Sequence, residues 1–164
     1  MRSSASSCAS SAGCITIAST IRSPVAASRR PGSPRPRLER AARRVLAWEG
    51  ARGARVELTL LDAPAMRRLN HRATGRRGLT DVIAYALPQP DGTLLGDVYI
   101  CPDAAWSGNG QRGTGNVTEE LVRLAVHGTL HVLGYDHPDG PGRTRSPMWR
   151  RQERYVRRLL RRAP

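Results

Sequence analysis

Three of the four histidines in this 164-residue chain fall within eleven residues, in the pattern His-x3-His-x2-Gly-x2-His. His127 and His131 are one helical turn apart, so on a helix their Cβ atoms lie roughly 5–6 Å apart on one face. Gly134 is the residue type that most readily ends a helix in the left-handed conformation, which lets the chain turn back and bring His137 to the same point. Three imidazoles with an open fourth position are typical of a catalytic zinc site. Core or capping histidines, the alternative, would be the better interpretation of a single histidine, but not of three at this spacing.

The regular patterns around this segment predict an α/β domain of the α+β type, with a small mixed β-sheet of about four strands and surrounding helices. The metal site lies at the C-terminal end of one of those helices. Helices are predicted from Arg37 to Gly50, after the N-cap Asp62, from Thr118 to Leu133 and from Pro147 to about Arg162; strands are predicted at 55–61, 81–87 and 94–101. The last two strands are predicted to form a hairpin, and residues 106–116 a glycine-rich loop.

The first 34 residues differ from the rest, because they contain ten Ser, four Arg and no acidic residue. This composition is found in organellar transit peptides, in disordered tails and in open reading frames that are read from too early a start codon. We favour the last two and predict that residues 1–13 are a tail or a wrongly assigned start. The alternation at Ile15-Thr16-Ile17 is typical of a strand, so a single domain is predicted over residues 14–164.

The net charge of +14 favours polyanionic partners, either nucleic acid or an anionic membrane surface. All 27 basic residues are arginine, and nine of them lie between Arg143 and Arg162 against Glu153 alone. This C-terminal run is either a phosphate-contacting surface or a solvated face. No segment approaches the roughly 18 apolar residues of a membrane span, so we do not expect a transmembrane protein. Cys8, Cys14 and Cys101 are too scattered for a disulfide framework, which indicates a reducing, cytoplasmic location.

The histidine spacing is also that of the metzincin proteases, in which a glutamate follows the first histidine and acts as the general base. Gly128 occupies that position here and can do no acid–base chemistry. A metalloprotease-like hydrolase is therefore only the second interpretation.

Residues 127–137, His-Gly-Thr-Leu-His-Val-Leu-Gly-Tyr-Asp-His, resemble the signature of the YbeY family, the metal-dependent, single-strand-specific endoribonucleases of bacterial rRNA maturation. Residues 80–85 (Thr-Asp-Val-Ile-Ala-Tyr) and 95–100 (Leu-Gly-Asp-Val-Tyr-Ile) are similar to two further family motifs in the same order. The resemblance spans roughly residues 36–162.

The resemblance implies hydrolysis of RNA phosphodiester bonds in rRNA precursors, at the 3′ end of 16S rRNA, and a role in ribosome quality control at the small subunit. It implies one Zn2+ ion, which the spacing assigns to His127, His131 and His137. A ribosome-associated binding protein with a structural metal remains a further alternative. His71, outside the motif, is not expected to be a ligand.

Four residues are candidates for catalysis beside the metal. The resemblance places Arg72, Arg76 and Arg77 in a loop that faces the metal cleft, where guanidinium groups suit phosphate. Asp136 is the carboxylate nearest to the ligands in sequence, either as a general base or, as we favour, as a group that orients a ligand. Thr74 stands where the family commonly has an arginine that is implicated in cleavage.

Overall fold

The computed structural model describes residues 33–106 and 116–161, all of which belong to one unit, Gly32–Pro164. Within these residues the elements follow one another as α1 (Arg35–Trp48), β1 (Ala54–Leu60), α2 (Ala63–Thr74), β2 (Val82–Pro88), β3 (Leu94–Ile100), α3 (Pro102–Trp106), α4 (Val117–Val132), a short 3-10 helix (Arg143–Arg145) and α5 (Pro147–Leu160). No helix of the described part has both the length and the apolar composition that a membrane crossing needs.

The sheet is mixed, as predicted, with the strand order β1-β3-β2. β1 runs parallel to β3, and β2 pairs with β3 as the predicted antiparallel hairpin. The described residues contain three strands rather than about four. The additional strand expected at residues 15–17 and the tail expected at residues 1–13 lie outside the described residues.

Capping side chains explain where the helices begin. Asp62 is the N-cap of α2, as predicted, and its carboxylate accepts a hydrogen bond from the backbone N–H of Ala65 at 2.8 Å. The N-cap of α4 is Asn116, whereas the sequence predicts that this helix starts at Thr118. The amide oxygen of Asn116 accepts from the N–H groups of Thr118 and Glu119, which places the start of the helix one residue earlier than Thr118. The short helix α3 was not predicted.

Helix α4 is the centre of the core, with every residue from Leu121 to Leu130 buried. It packs against α1 and α5 and also against β2 and β3, so it is covered on nearly all sides. Two glycines allow α4 to approach β3 closely. A Cβ atom at Gly128 would overlap the side chain of Val98, and one at Gly96 would overlap that of Val132. This reciprocal contact sets the rotation of α4 against the sheet and therefore the direction in which its histidines point.

Candidate metal centre

Gly134 ends the histidine helix in the way that the sequence predicts. Its φ angle is 85°, in the left-handed region. The N–H of Gly134 donates to the carbonyl of His131 at 2.9 Å, and that of Tyr135 donates to the carbonyl of Leu130 at 3.0 Å. These two hydrogen bonds define a Schellman motif, which satisfies the last carbonyls of α4 and reverses the chain. The reversal carries His137 back toward the helix.

The three predicted ligands meet at one point. Nε2 of His127 lies 3.0 Å from Nε2 of His131 and 3.4 Å from Nε2 of His137. One ligand nitrogen of each histidine lies within 4.8 Å of the others. Nitrogens bound at about 2.1 Å to a tetrahedral zinc ion are separated by about 3.4 Å, so the observed spacing fits such an ion. His71 lies on an exposed part of α2 and does not belong to this group.

Hydrogen bonds leave the converging nitrogens free to act as ligands. Nδ1 of His127 donates to Oε1 of Gln152 at 2.7 Å, and Nδ1 of His137 donates to the carbonyl of Pro138 at 3.2 Å. In a neutral imidazole with its proton on Nδ1, Nε2 carries a lone pair. The two side chains are therefore held in the tautomer that binds a metal through Nε2.

Burial keeps His127 uncharged. The side chain is only 4% exposed, and burial together with the neighbouring His131 lowers its pKa from 6.5 to about 3, although the hydrogen bond with Gln152 opposes the change. Burial also lowers the pKa of His131, and the neighbouring His137 acts in the same direction. Because a metal ion binds the neutral imidazole, these shifts favour binding at neutral pH.

A buried polar network supports His127 from behind, and sequence patterns gave no sign of it. Nε2 of Gln152 donates to Oε1 of Glu153 at 3.1 Å, which directs the amide oxygen of Gln152 toward His127. The same carboxylate oxygen of Glu153 accepts from Nε of Arg123 at 3.0 Å. Arg123 is buried and also pairs with Glu120 at 2.6 Å. The network joins α5 to α4 and fixes the ring of His127 through Gln152.

Glu49, directly after α1, positions the turn that carries His137. Its carboxylate accepts hydrogen bonds from the hydroxyl groups of Tyr135 at 2.8 Å and Tyr155 at 2.5 Å, and from Arg151 at 2.9 Å. Burial alone would raise the pKa of Glu49, but these hydrogen bonds outweigh burial and lower it. Tyr135, two residues before His137, is thus tied to two helices.

The histidines lie in an open cleft of about 810 Å³ between α4, β2 and the loops after α2 and α4. Of the predicted phosphate-binding arginines, Arg76 lines this cleft, whereas Arg72 and Arg77 are exposed and do not belong to its lining. Arg72 lies at the end of α2, and its charge acts on Tyr85 of β2. The roles of all three remain predictions.

Asp136 also lines the cleft, and its side chain is 87% exposed. Its Oδ1 accepts from the backbone N–H of His137 at 2.8 Å and lies 4.0 Å from Nδ1 of His131. The second distance is too long for a hydrogen bond. Asp136 therefore contacts the backbone of one ligand and adds a negative charge beside another.

The position of Arg143 in the cleft is not predicted by any sequence pattern. Arg143, on the 3-10 helix, places Nη2 3.4 Å from Nε2 of His127. From the sequence it was only one member of the C-terminal arginine run, because no local pattern indicates that it faces the metal ligands.

Known proteins match this chain over most of the described residues. The family model for Endoribonuclease YbeY matches residues 32–160. A Moorella thermoacetica protein named Endoribonuclease YbeY is 39% identical over 117 residues, which cover 64% of this chain and 74% of that protein. A Renibacterium salmoninarum protein of the same name is 38% identical over 94 residues, which cover 51% of this chain and 59% of that protein.

A Thermotoga maritima protein with a known solution structure is 25% identical, with a TM-score of 0.49 over 77% of this chain and 79% of that one. The family assignment rests on the sequence matches. Fold and site together define an α+β protein in which three histidines at the end of a buried helix lie close enough to hold a metal ion. The chain belongs to the YbeY endoribonuclease family.

Proposed function

We propose that this protein is a zinc-dependent endoribonuclease that hydrolyses phosphodiester bonds in single-stranded RNA. The observation that carries the proposal is the convergence of three imidazoles on one point of an open cleft, in a chain of an endoribonuclease family. A zinc ion held there would supply Lewis-acid activation of water and of a phosphoryl oxygen.

The residues of the chain have separable tasks in this proposal. His127, His131 and His137 hold the ion, and Gln152 and Glu49 hold two of the ligand-bearing segments in place. Arg76 offers a guanidinium group to an RNA phosphate at the cleft rim. Asp136 accepts a hydrogen bond from the backbone N–H of His137 and so orients that residue. Its negative charge beside His131 would also stabilise the positive charge of a bound ion.

The geometry disfavours the metalloprotease alternative. In that mechanism the residue after the first histidine carries the general base. Gly128 faces the sheet, and even a Cβ atom there would overlap Val98. A glutamate at this position would meet the core and not the cleft. The alternative of a purely structural metal is disfavoured by the open cleft around the ligands, since structural zinc sites are closed by four protein ligands.

The biological setting belongs to the same proposal. We infer that the substrate is rRNA precursor, which the protein cleaves at the 3′ end of 16S rRNA, and that the protein also acts in ribosome quality control. We infer further that it works in the cytoplasm and contacts the small ribosomal subunit. Support comes from the net charge of +14, which favours a polyanionic partner. Arg154, Arg157, Arg158 and Arg161 line one shallow surface of α5 that could contact phosphates.

A cleavage assay on a labelled single-stranded RNA, with and without a chelator, tests this function. We expect chelation to abolish cleavage and added zinc to restore it. His131→Ala should be inactive, whereas His71→Ala, which changes an exposed histidine outside the cluster, should cleave like the wild type. Cleavage that persists in chelator, or in His131→Ala, would contradict the proposal.

A further inference from the structure

Arg143 brings a positive side chain next to the predicted metal ligands. Its Nη2 lies 3.4 Å from Nε2 of His127, and the residue lines the cleft. Its Nε is buried and has no hydrogen-bond partner in the described part of the chain. A buried donor without a partner is costly, so such a group indicates an absent ligand.

The backbone holds Arg143 in this place. Its carbonyl accepts from the hydroxyl of Ser146 at 2.8 Å, and its N–H donates to the carbonyl of Gly140 at 3.1 Å. Ser146 is at the same time the N-cap of α5 and accepts from the N–H of Trp149 at 3.1 Å. The backbone of Arg143 is thus anchored to the start of α5, so that only the side-chain torsions lose freedom when the guanidinium group binds a ligand.

Thr74, which also lines the cleft, cannot provide a comparable group. The hydroxyl of Thr74 donates to the backbone carbonyl and the side-chain oxygen of Asn70, at 2.9 and 3.0 Å. It also accepts from the N–H of Arg76 at 3.2 Å. Thr74 is therefore occupied in ending α2, and the positive charge beside the histidines comes from Arg143.

A metal ion and Arg143 make opposing demands on His127. The lone pair of Nε2 that would bind the ion is the one that Arg143 approaches. With an ion bound there, two positive charges would lie close together beside the buried His127, where like charges repel more strongly than in water. An anion between them would relieve the repulsion and supply the acceptor that the guanidinium group lacks.

We propose that Arg143 forms, with the metal centre, the site that binds one phosphate group of the RNA. The ligand class is a phosphate monoanion or diester, held by charge-assisted hydrogen bonds from the guanidinium group. The inference rests on the proposed function for its substrate, but its phosphate-binding part can be measured without RNA. It also predicts that metal and phosphate bind cooperatively.

The test compares Arg143→Met with Arg145→Met, which removes an exposed arginine from the same 3-10 helix that does not line the cleft. Zinc affinity is measured in phosphate-free buffer, and the affinity for inorganic phosphate is measured on the zinc-loaded proteins by calorimetry. Arg143→Met should bind zinc about tenfold more tightly, because a like charge is removed. It should bind phosphate at least about tenfold more weakly, because a hydrogen bond to a charged group is lost. Arg145→Met should match the wild type in both measurements.

Cleavage of single-stranded RNA separates this inference from the proposed function. Arg143→Met should lower kcat by about 100-fold, a typical loss when one donor to a developing charge is removed. A wild type that binds zinc but does not cut RNA would refute the proposed function, while the phosphate titration would still decide the role of Arg143. Phosphate that binds the wild type no more tightly than Arg143→Met would overturn the inference.

Discussion

Replacing Gln152 by Met removes the hydrogen bond that holds the most buried metal ligand. Gln152 is 2% exposed, and its amide oxygen is 2.7 Å from Nδ1 of His127. The substitution keeps the length and the volume of the side chain but leaves a buried N–H without an acceptor, which costs about 1–3 kcal/mol. It also frees the imidazole ring to rotate, and the loss of such a supporting partner lowers metal affinity by about 10–100-fold.

Both effects can be measured on the purified protein. Zinc affinity is obtained by competition with a chromophoric chelator, and the free energy of unfolding by urea titration of the zinc-free protein. Gln89→Met is the matched control, because Gln89 lies in the β2–β3 turn and its side-chain amide donates to the nearby carbonyl of Leu87 at 2.8 Å, far from the histidines in sequence. A zinc Kd for Gln152→Met within threefold of the wild type would refute the claim that Gln152 positions His127.

Two further predictions concern the framework of the site. Gly128→Ala should lower the free energy of unfolding, measured by urea titration, by about 1–2 kcal/mol, because overpacking against Val98 outweighs the gain in helix propensity. The double variant with Val98→Ala should recover part of this loss. An unchanged or raised stability of Gly128→Ala would contradict the close packing. The pKa of Glu49 lies below its usual 4.5 in the folded protein. As the pH falls from 4.5 to this lower pKa, the unfolded state binds more protons than the folded state, and the free energy of unfolding decreases. Glu49→Gln should flatten this acid limb of the pH–stability curve, and an equally steep limb in the variant would show that Glu49 does not cause it.

Local patterns in the sequence were sufficient for most of the fold. The helical spacing in α1, α4 and α5 marked these helices, and two strand-length segments on either side of a Pro- and Gly-containing turn marked the hairpin. The convergence of the three histidines was equally predictable, because a helix places residues four apart on one face and Gly134 predicts the turn that follows. Each of these signals lies within about a dozen residues.

The groups that support and complete the site were not predictable in this way. Gln152 is 25 positions from His127, and Glu49 is 86 positions from Tyr135. The helical period of the sequence shows which face of a helix is buried. It does not show which polar groups of distant segments contact the side chains on that face. The role of Arg143 was not predictable for a related reason. Nine arginines lie between residues 143 and 162, and the composition of this segment does not distinguish the one that faces the cleft.

Titration of RNA cleavage against zinc tests whether an ion held by the three histidines is required for cleavage. The metal-free protein is mixed with increasing equivalents of zinc, and the initial rate of cleavage of a single-stranded RNA is measured at each step. We expect the rate to rise linearly and to reach its plateau at one equivalent per chain, since one group of three histidines in the described residues can hold an ion. His131→Ala should show no such rise. A rate that does not depend on added zinc, or a plateau shared by the wild type and His131→Ala, would contradict the account.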